Sequence, residues 1–569
     1  MQAALTLLHR LQLRGLRRLV LCPGSRSGPL ATAAGLLASV GHLQLTTVVD
    51  ERSAAFLALG MGTASGLGVA VVTTSGTAVA NLLPAVVEAD LSCQPLLLIT
   101  ADRPVRLKEC GANQTVNQEQ FLRPACRWCG SGSGQGFHVM SPNDLEVCVD
   151  LAWRHSHGTD YTAPGPVHIN LPIEEPIHTP NLEHQSLLDI VLKQGDDLLQ
   201  LNSPLLPTSH APVLDHLRPG VVIAGPWRGL TPNLPAFQQA VSDWLACSGW
   251  PLLADPLAAL PVDLPGRLHH WELQLDKLTS IKPLQVLRLG PLAASRRLEA
   301  WLQCGLGPQV LITEGEPRSL DPLGLAEQWS GGMAAWWSQQ SALAAKPVSP
   351  WFLQEQKLGS WLADQLPSKG PISEPALAYQ LPQLLPAGLP VMLAASSPVR
   401  DWLTWSGQAG SDRRCFSFRG ASGIDGTLSL AMGLALESGP LVLITGDLAL
   451  LHDSNGWLHG RPSGPALIVM LIDNDGGGIF QQLSIEQCSP QRFDDLFAMP
   501  QSVNPIVLAA AHGVPGRSVA VLDDLPEALS WGLAQKRPVL LRVCTDRRAD
   551  AELRLRLRLA AQNEGSVSR

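Results

Sequence analysis

Gly446 and Asp447 close one apolar run, and Asn474 and Gly476 follow another, with Asn474 standing 27 positions beyond Asp447. A hard divalent cation takes oxygen ligands in octahedral geometry and commonly keeps phosphate oxygens among them. Asp447 can give a carboxylate oxygen, Asn474 an amide oxygen and Gly476 a backbone carbonyl, which leaves room for two diphosphate oxygens and a water. Ordinary strand ends capped by turn residues would show the same residue types. A second candidate is Glu51, in Asp50-Glu51-Arg52 at the end of another apolar run. Alone, such a carboxylate also suits the positive end of a helix. Four arginines, Arg26, Arg103, Arg400 and Arg419, fall at predicted strand ends, where their planar forks can bind carboxylates through two hydrogen bonds at once.

These residues need a scaffold that brings strand ends to one edge. In the first 180 residues amphipathic stretches alternate with short apolar runs at 19–22, 45–49, 69–73 and 96–99. The runs end in Pro23-Gly24-Ser25-Arg26, Asp50-Glu51, Thr74-Ser75-Gly76-Thr77 and Ala101-Asp102-Arg103-Pro104. That rhythm predicts a βαβ series and a doubly wound parallel sheet, with ligands beyond the carboxyl ends of its strands. It recurs in the runs 391–395, 414–418, 441–445, 467–472 and 538–544, and more weakly in 221–224, 286–289 and 310–313. Proline-rich stretches at 203–219 and 346–375 read as linkers. The expectation is α/β, with three doubly wound modules at 1–185, 190–345 and 370–569. The alternating Leu-Arg segment 553–559 fits either strand or helix.

With the cation motif and the glutamate in this module order, the chain resembles the thiamine diphosphate enzymes. Their cofactor motif begins Gly-Asp and closes with an Asn at about this distance, and a glutamate sits on a separate pyrimidine-binding domain. Leu448 and Asp473 depart from the commonest form of that motif. A finer resemblance, which accounts for Leu448, is to the 2-succinyl-5-enolpyruvyl-6-hydroxy-3-cyclohexene-1-carboxylate synthases of menaquinone and phylloquinone biosynthesis. Its strings are Cys22-Pro23-Gly24-Ser25-Arg26-Ser27, Asp50-Glu51-Arg52, Thr100-Ala101-Asp102-Arg103-Pro104 and Gly111-Ala112-Asn113-Gln114 in the first module. In the third they are Arg419-Gly420-Ala421-Ser422-Gly423-Ile424-Asp425-Gly426, Gly446-Asp447-Leu448 and Asp473-Asn474-Asp475-Gly476-Gly477-Gly478-Ile479-Phe480.

The resemblance implies a three-domain transferase, with a pyrimidine-binding, a central and a diphosphate-binding domain. It would decarboxylate 2-oxoglutarate and add the remaining four carbons to isochorismate by conjugate addition. Glu51 would activate thiamine diphosphate and Ile424 would support its bent shape. Gly446, Asp447, Asn474, Gly476, Ile479 and Phe480 would hold the cofactor, with Mg²⁺ or Mn²⁺ on Asp447, Asn474 and Gly476. Both substrates are dicarboxylates, and Ser25, Arg26, Arg103, Gln114, Ser396, Arg400 and Arg419 would bind them. Arg296 and Arg297 would add charge from the central module, where the family places a Lys first. Glu51 and Asp447 would meet across a subunit interface, which implies a homodimer or homotetramer.

Composition narrows the alternatives. Forty-one Lys and Arg against 49 Asp and Glu give a net charge of −8, with no basic tract for nucleic acid or anionic membrane. Hydrophobic residues are 45 % and charged ones 16 %, below the roughly 25 % of average domains, so a large core and buried interfaces are expected. No run approaches the roughly 18 apolar residues of a spanning helix. Eleven scattered cysteines read as reduced thiols of a cytoplasmic protein, with Cys126-x-x-Cys129 structural rather than a zinc site. The Gly-rich stretch 130–136 reads as a flexible loop because it does not join a strand to a helix. His269-His270 reads as structural, and no flavin signature is present. The rivals are another thiamine diphosphate lyase such as a 2-oxoacid decarboxylase, an NAD(P)-dependent oxidoreductase, and a cofactor-binding protein without activity.

Overall fold

The computed structural model describes residues 1–564 apart from 160–161, 179, 181–182, 194–209, 279–283, 341–351, 461–463 and 486–489. Three six-stranded sheets, each parallel throughout, carry the chain. The first contains β1 (Arg18–Leu21), β2 (Gln44–Thr47), β3 (Val69–Thr73), β4 (Leu96–Asp102), β5 (Trp128–Ser131) and β6 (Pro166–Pro172), in the order β2-β1-β3-β4-β6-β5. The central sheet contains β7 (Gly220–Ala224), β8 (Leu252–Ala254), β9 (Arg267–Leu268), β10 (Gln285–Leu289), β11 (Gln309–Ile312) and β12 (Ala326–Trp329), in the order β12-β11-β10-β7-β8-β9. The last contains β13 (Val391–Leu393), β14 (Cys415–Ser417), β15 (Leu441–Gly446), β16 (Leu467–Asp473), β17 (Gly516–Val519) and β18 (Val539–Cys544), in the order β14-β13-β15-β16-β18-β17. First and last sheets therefore share one topology, and the strand order of each reverses beside its first strand. In such sheets that reversal opens a crevice for ligands.

Contacts divide the chain into two compact units, one of Met1–Leu205, Leu230–Pro232 and Arg419–Ser438, the other of Leu206–Gly229, Asn233–Phe418 and Gly439–Arg569. In the first, the helix Thr427–Ser438 packs on the helix Glu51–Ser65 although the sequence places it in the third module. Small residues allow the close crossing. A Cβ on Gly60 would lie 2.2 Å from the Leu430 carbonyl oxygen, and one on Gly433 would lie 2.1 Å from that of Leu57.

Several local expectations change. Gly130 and Ser131 are not loop but the end of edge strand β5, where the Trp128 indole covers the bare face of Gly130. The segment 553–559 is helical, inside Arg547–Glu564. Of the expected linkers, 203–209 and 346–351 lie outside the described residues, whereas Phe352–Gln365 is a helix. Among the described residues no helix is long and apolar enough to cross a membrane.

Candidate active site

In the second unit β15 and β16 pair in register from Leu441–Leu467 to Gly446–Ile472, so the turns that follow them open on one edge. Asp447 starts the helix Asp447–His452. Its Oδ1 accepts the Leu448 N–H and its Oδ2 the Gly476 N–H, each at 2.7 Å. Gly476 has φ +116°, and a Cβ there would meet the Ala498 carbonyl oxygen at 2.0 Å, so the turn requires glycine. Burial pushes the Asp447 carboxyl up to about 6 against those two N–H donors, and Asp473 and Asp475 add to the rise. A dication at this carboxylate would supply the missing counter-charge. A cavity of about 470 Å³ lies beside it, lined by Asp447, Trp457, Asp473, Asp475, Arg542 and Thr545 among others.

Asn474 is 7 % exposed. Its Nδ2 donates to Glu374 Oε1 at 2.7 Å, while its Oδ1 is buried without a hydrogen-bond partner. A buried acceptor left unmatched costs about 1–3 kcal/mol, and an amide oxygen is a good ligand for a hard cation. The donor set thus fits the expected metal. Glu374, which the sequence reading missed, is itself held. Its Oε2 meets Arg554 Nη2 at 2.5 Å, and Arg554 also binds Asp401 through Nε–Oδ1 at 2.8 Å and Nη2–Oδ2 at 2.5 Å. From the same C-terminal helix, Arg547 Nη1 donates to the carbonyl oxygens of Asn474 at 3.3 Å and Asp475 at 2.5 Å. Ile479 and Phe480 follow in the 3₁₀ turn Gly478–Gln482.

At the end of β13, Ser396 has φ +75° and ψ −130°, a conformation that non-glycine residues rarely keep without a functional reason. Its carbonyl accepts Arg400 Nη1 at 2.7 Å. On the central sheet, Arg297 is engaged by the Glu272 carbonyl at 2.6 Å and by Asp276 at 2.8 Å, while Arg296 is exposed. His269 and His270 are structural. Burial lowers His269 to about 4, and His270 Nδ1 pairs with Glu355 at 2.6 Å.

The first unit gathers the other residues. Asp50 caps the helix Glu51–Ser65, accepting the N–H groups of Arg52 at 2.9 Å and Ser53 at 3.3 Å. Capping therefore falls to Asp50 rather than Glu51. Burial raises the neighbouring Cys22 thiol pKa far above its ordinary value, and Glu51 and Asp50 raise it further. Arg103, beyond β4, donates to the Ser75 hydroxyl, the Gln114 carbonyl at 3.2 Å and Gln114 Oε1 at 3.4 Å. Burial lowers its pKa, and the Arg26 charge lowers it further. Two guanidinium groups brought together in this way suit an anion. Arg26 donates to the Ile173 carbonyl at 3.0 Å and pairs with Glu175 at 3.3 Å, and Ser25 is exposed.

The loop bearing Arg419 and Ile424 is clamped by Glu88, whose carboxylate accepts the N–H groups of Gly420 at 2.8 Å, Ala421 at 2.6 Å and Ser422 at 3.2 Å. Arg419 Nη1 lies 3.4 Å from Ser422 Oγ, and Ile424 is 38 % exposed. Glu88 was also missed; a lone Glu within an apolar helix was its only sequence signal.

Residues 1–121 match the family described as thiamine pyrophosphate enzyme, N-terminal TPP binding domain, and residues 402–543 match the corresponding C-terminal TPP binding domain. The fold is similar to a crystal structure of benzoylformate decarboxylase from Polynucleobacter necessarius, with TM-score 0.68, 16 % identity, and 96 % of this chain and 98 % of that one covered. Full-length relatives named 2-succinyl-5-enolpyruvyl-6-hydroxy-3-cyclohexene-1-carboxylate synthase include one from Synechococcus sp. (strain CC9902), 72 % identical over 96 % of this chain and 98 % of its own. Another, from Parasynechococcus marenigrum (strain WH8102), is 66 % identical over 96 % and 99 %. A third, from Prochlorococcus marinus (strain MIT 9313), is 56 % identical over 96 % and 97 %. The chain therefore belongs to the 2-succinyl-5-enolpyruvyl-6-hydroxy-3-cyclohexene-1-carboxylate synthase family of thiamine pyrophosphate enzymes.

Proposed function

We propose that the protein decarboxylates 2-oxoglutarate with thiamine diphosphate and transfers the four-carbon remainder to isochorismate, a C–C bond-forming step of menaquinone or phylloquinone biosynthesis. The observation that carries this reading is 72 % identity, over 96 % of the chain, to a synthase of that name. Thiamine diphosphate, when bound, supplies the electron sink that lets a 2-oxo acid release carbon dioxide. Asp447, Asn474 and the Gly476 carbonyl would hold Mg²⁺ or Mn²⁺, and Gly446, Ile479 and Phe480 would complete the cofactor's surroundings. Glu51 would face the cofactor's pyrimidine ring as its acid–base group, and Ile424 would support the cofactor from an exposed loop.

Arg26, Arg103, Arg400 and Arg419 bind the substrate carboxylates, with Ser25, Gln114 and Ser396 as neutral donors. Charge placed before the reaction lowers the barrier without reorganisation. Arg296 and Arg297 add positive charge from the central sheet, Arg297 being held by Glu272 and Asp276. Self-association as a dimer or tetramer belongs to the same proposal. The test supplies thiamine diphosphate, Mg²⁺ and 2-oxoglutarate, with and without isochorismate, and identifies the product. Carbon dioxide release with the adduct formed only when isochorismate is present supports it. A preference for pyruvate, with no adduct, overturns it.

A further inference from the structure

Cys126 and Cys129 belong to neither the cofactor nor the substrate residues. Cys126 follows the 3₁₀ turn Arg123–Ala125, and Cys129 lies in β5, an edge strand, directly paired with His168 of β6. The two thiols are hydrogen-bonded to one another, and Cys129 is also bonded to His168. Both are half-buried. The groups facing them are Arg123, His168, Asp90 and Arg127, the last held between Asp90 and the Pro164 carbonyl. Among the described residues no cluster of three or more His, Cys, Asp or Glu side chains is arranged to hold a metal.

The surroundings split the pair. The hydrogen bond from Cys126 brings Cys129 down to about 5, with His168 and Arg123 helping against burial. The Cys126 thiol pKa is raised, by that same bond and by burial. Cys129 is thus the sulfur disposed to ionise, and Cys126 the one disposed to keep its proton.

From His168 a buried chain of hydrogen bonds runs to a strand-end turn. His168 Nε2 bonds Thr100 Oγ1 at 2.7 Å, Thr100 donates to Asn170 Oδ1 at 3.0 Å, and Gln118 Nε2 donates to the same oxygen at 2.8 Å. Gln118 Oε1 then accepts the Gly76 N–H at 2.9 Å. Gly76 follows Ser75, the hydroxyl partner of Arg103.

We propose that Cys126 and Cys129 are a peroxide-responsive dithiol whose oxidation to a disulfide loosens the Gly76 turn through His168, Thr100, Asn170 and Gln118. The Cys129 thiolate attacks one peroxide oxygen, the O–O bond breaks, and water leaves after protonation. The Cys126 sulfur then displaces hydroxide from the resulting sulfenic acid, and its proton completes a second water. The two sulfurs lose two electrons and the peroxide gains them. Forming the bond removes the ionisable sulfur that His168 faces. The free edge of β5 and the adjacent Gly130 give the strand room to adjust.

Rate alone does not single out this pair at neutral pH. A thiol near pKa 5 has about thirtyfold more thiolate at pH 7 than an ordinary one near 8.5, but is roughly 25- to 55-fold less nucleophilic as an anion. At pH 6 the ionised fraction of an ordinary thiol falls about tenfold further, which favours the lowered Cys129 thiol. The product is the sharper criterion.

The test treats the reduced full-length protein with hydrogen peroxide at pH 6, alkylates the remaining thiols and maps them by mass spectrometry. Exposed Cys110, Cys304 and Cys544 serve as internal references. A peptide two hydrogens lighter, containing 126–129 and restored by dithiothreitol, is expected before the reference thiols react. Cys126→Ser should stop at a dimedone-reactive sulfenic acid on Cys129, and amide exchange at Gly76 should rise at least several-fold only in the oxidised wild type. Oxidation of the reference cysteines while 126–129 stays reduced overturns the proposal. So does a disulfide that leaves Gly76 exchange unchanged. Neither readout depends on which substrates the enzyme uses.

Discussion

Replacing Glu374 by alanine removes the acceptor that holds Asn474 Nδ2 at 2.7 Å and one of the two acidic partners of Arg554. A hydrogen bond to a charged acceptor contributes roughly 1.5–3 kcal/mol. If that energy fixes the amide so that Oδ1 faces the cation, its loss corresponds to about 10- to 150-fold in affinity at 1.4 kcal/mol per decade. Residues behind metal ligands typically contribute a similar factor, about 10- to 100-fold. Stability should fall as well. Breaking a buried ion pair costs about 3–5 kcal/mol, but Arg554 keeps both contacts with Asp401, so a loss nearer 2–4 kcal/mol is expected. The assay is calorimetric titration of Mg²⁺ with thiamine diphosphate present, beside urea unfolding. Glu374→Gln separates the two effects, because an amide oxygen can still accept from Asn474 while offering no charge to Arg554. Magnesium affinity within twofold of wild type in Glu374→Ala, with reduced stability, would show that Glu374 does not orient Asn474 for the metal and is only a tie between helices.

Glu51→Gln should retain cofactor binding but lose about 10²–10⁴-fold in turnover, the usual contribution of a positioned acid–base group; near-normal turnover removes Glu51 from the chemistry. Asp550 is raised to about 7 by burial first and by Glu374 next, from an ordinary 3.8. The folded protein therefore holds a proton that the unfolded chain has released, and stability falls as pH rises from about 4 to about 7, by on the order of 2–4 kcal/mol. Asp550→Asn should remove that slope, which urea midpoints at pH 5 and pH 8 would show; an unchanged slope assigns it to another group. Gly433→Val must displace the Leu57 backbone, 2.1 Å from the new Cβ, and should cost about 3 kcal/mol, the upper end of ordinary overpacking. Gly35→Ala, with open space around it, should be neutral or slightly stabilising in a thermal melt.

Legibility followed burial. β15 and β16 could be read almost to the residue because strands covered on both faces are unbroken apolar runs. Edge strand β5 carries no such run: Trp128-Cys129-Gly130-Ser131 has the composition of a loop until the β6 backbone pairs with it. The alternating segment 553–559 was ambiguous for a related reason. As a helix it turns Leu555 and Leu559 outward, 60 % and 54 % exposed, and buries Arg554 at 2 %. Apolar periodicity points the wrong way there, because Glu374 and Asp401 create the demand for Arg554.

The same physics explains why the reactive positions could be found and their supports could not. Asp447 and Asn474 sit directly after strands and Glu51 four residues after one, so local order alone places them at a sheet edge. Glu88 grips Gly420 from 332 residues away, Glu374 grips Asn474 across 100, and Asp102 grips Asn170 across 68. Each is a carboxylate in a chain of net charge −8, and nothing local in the sequence names the distant donors it meets. Burial of an unpaired carboxylate would cost far more than any of these contacts contributes, so each position is tolerable only with its donors in place. Two of the three clamp loops carrying proposed cofactor residues, while Asp102 accepts the Arg103 N–H at 2.7 Å beside a proposed substrate arginine. Removing such a carboxylate should therefore loosen cofactor or substrate before it unfolds the sheet, because the strands keep their own ladders while the loop loses its acceptor.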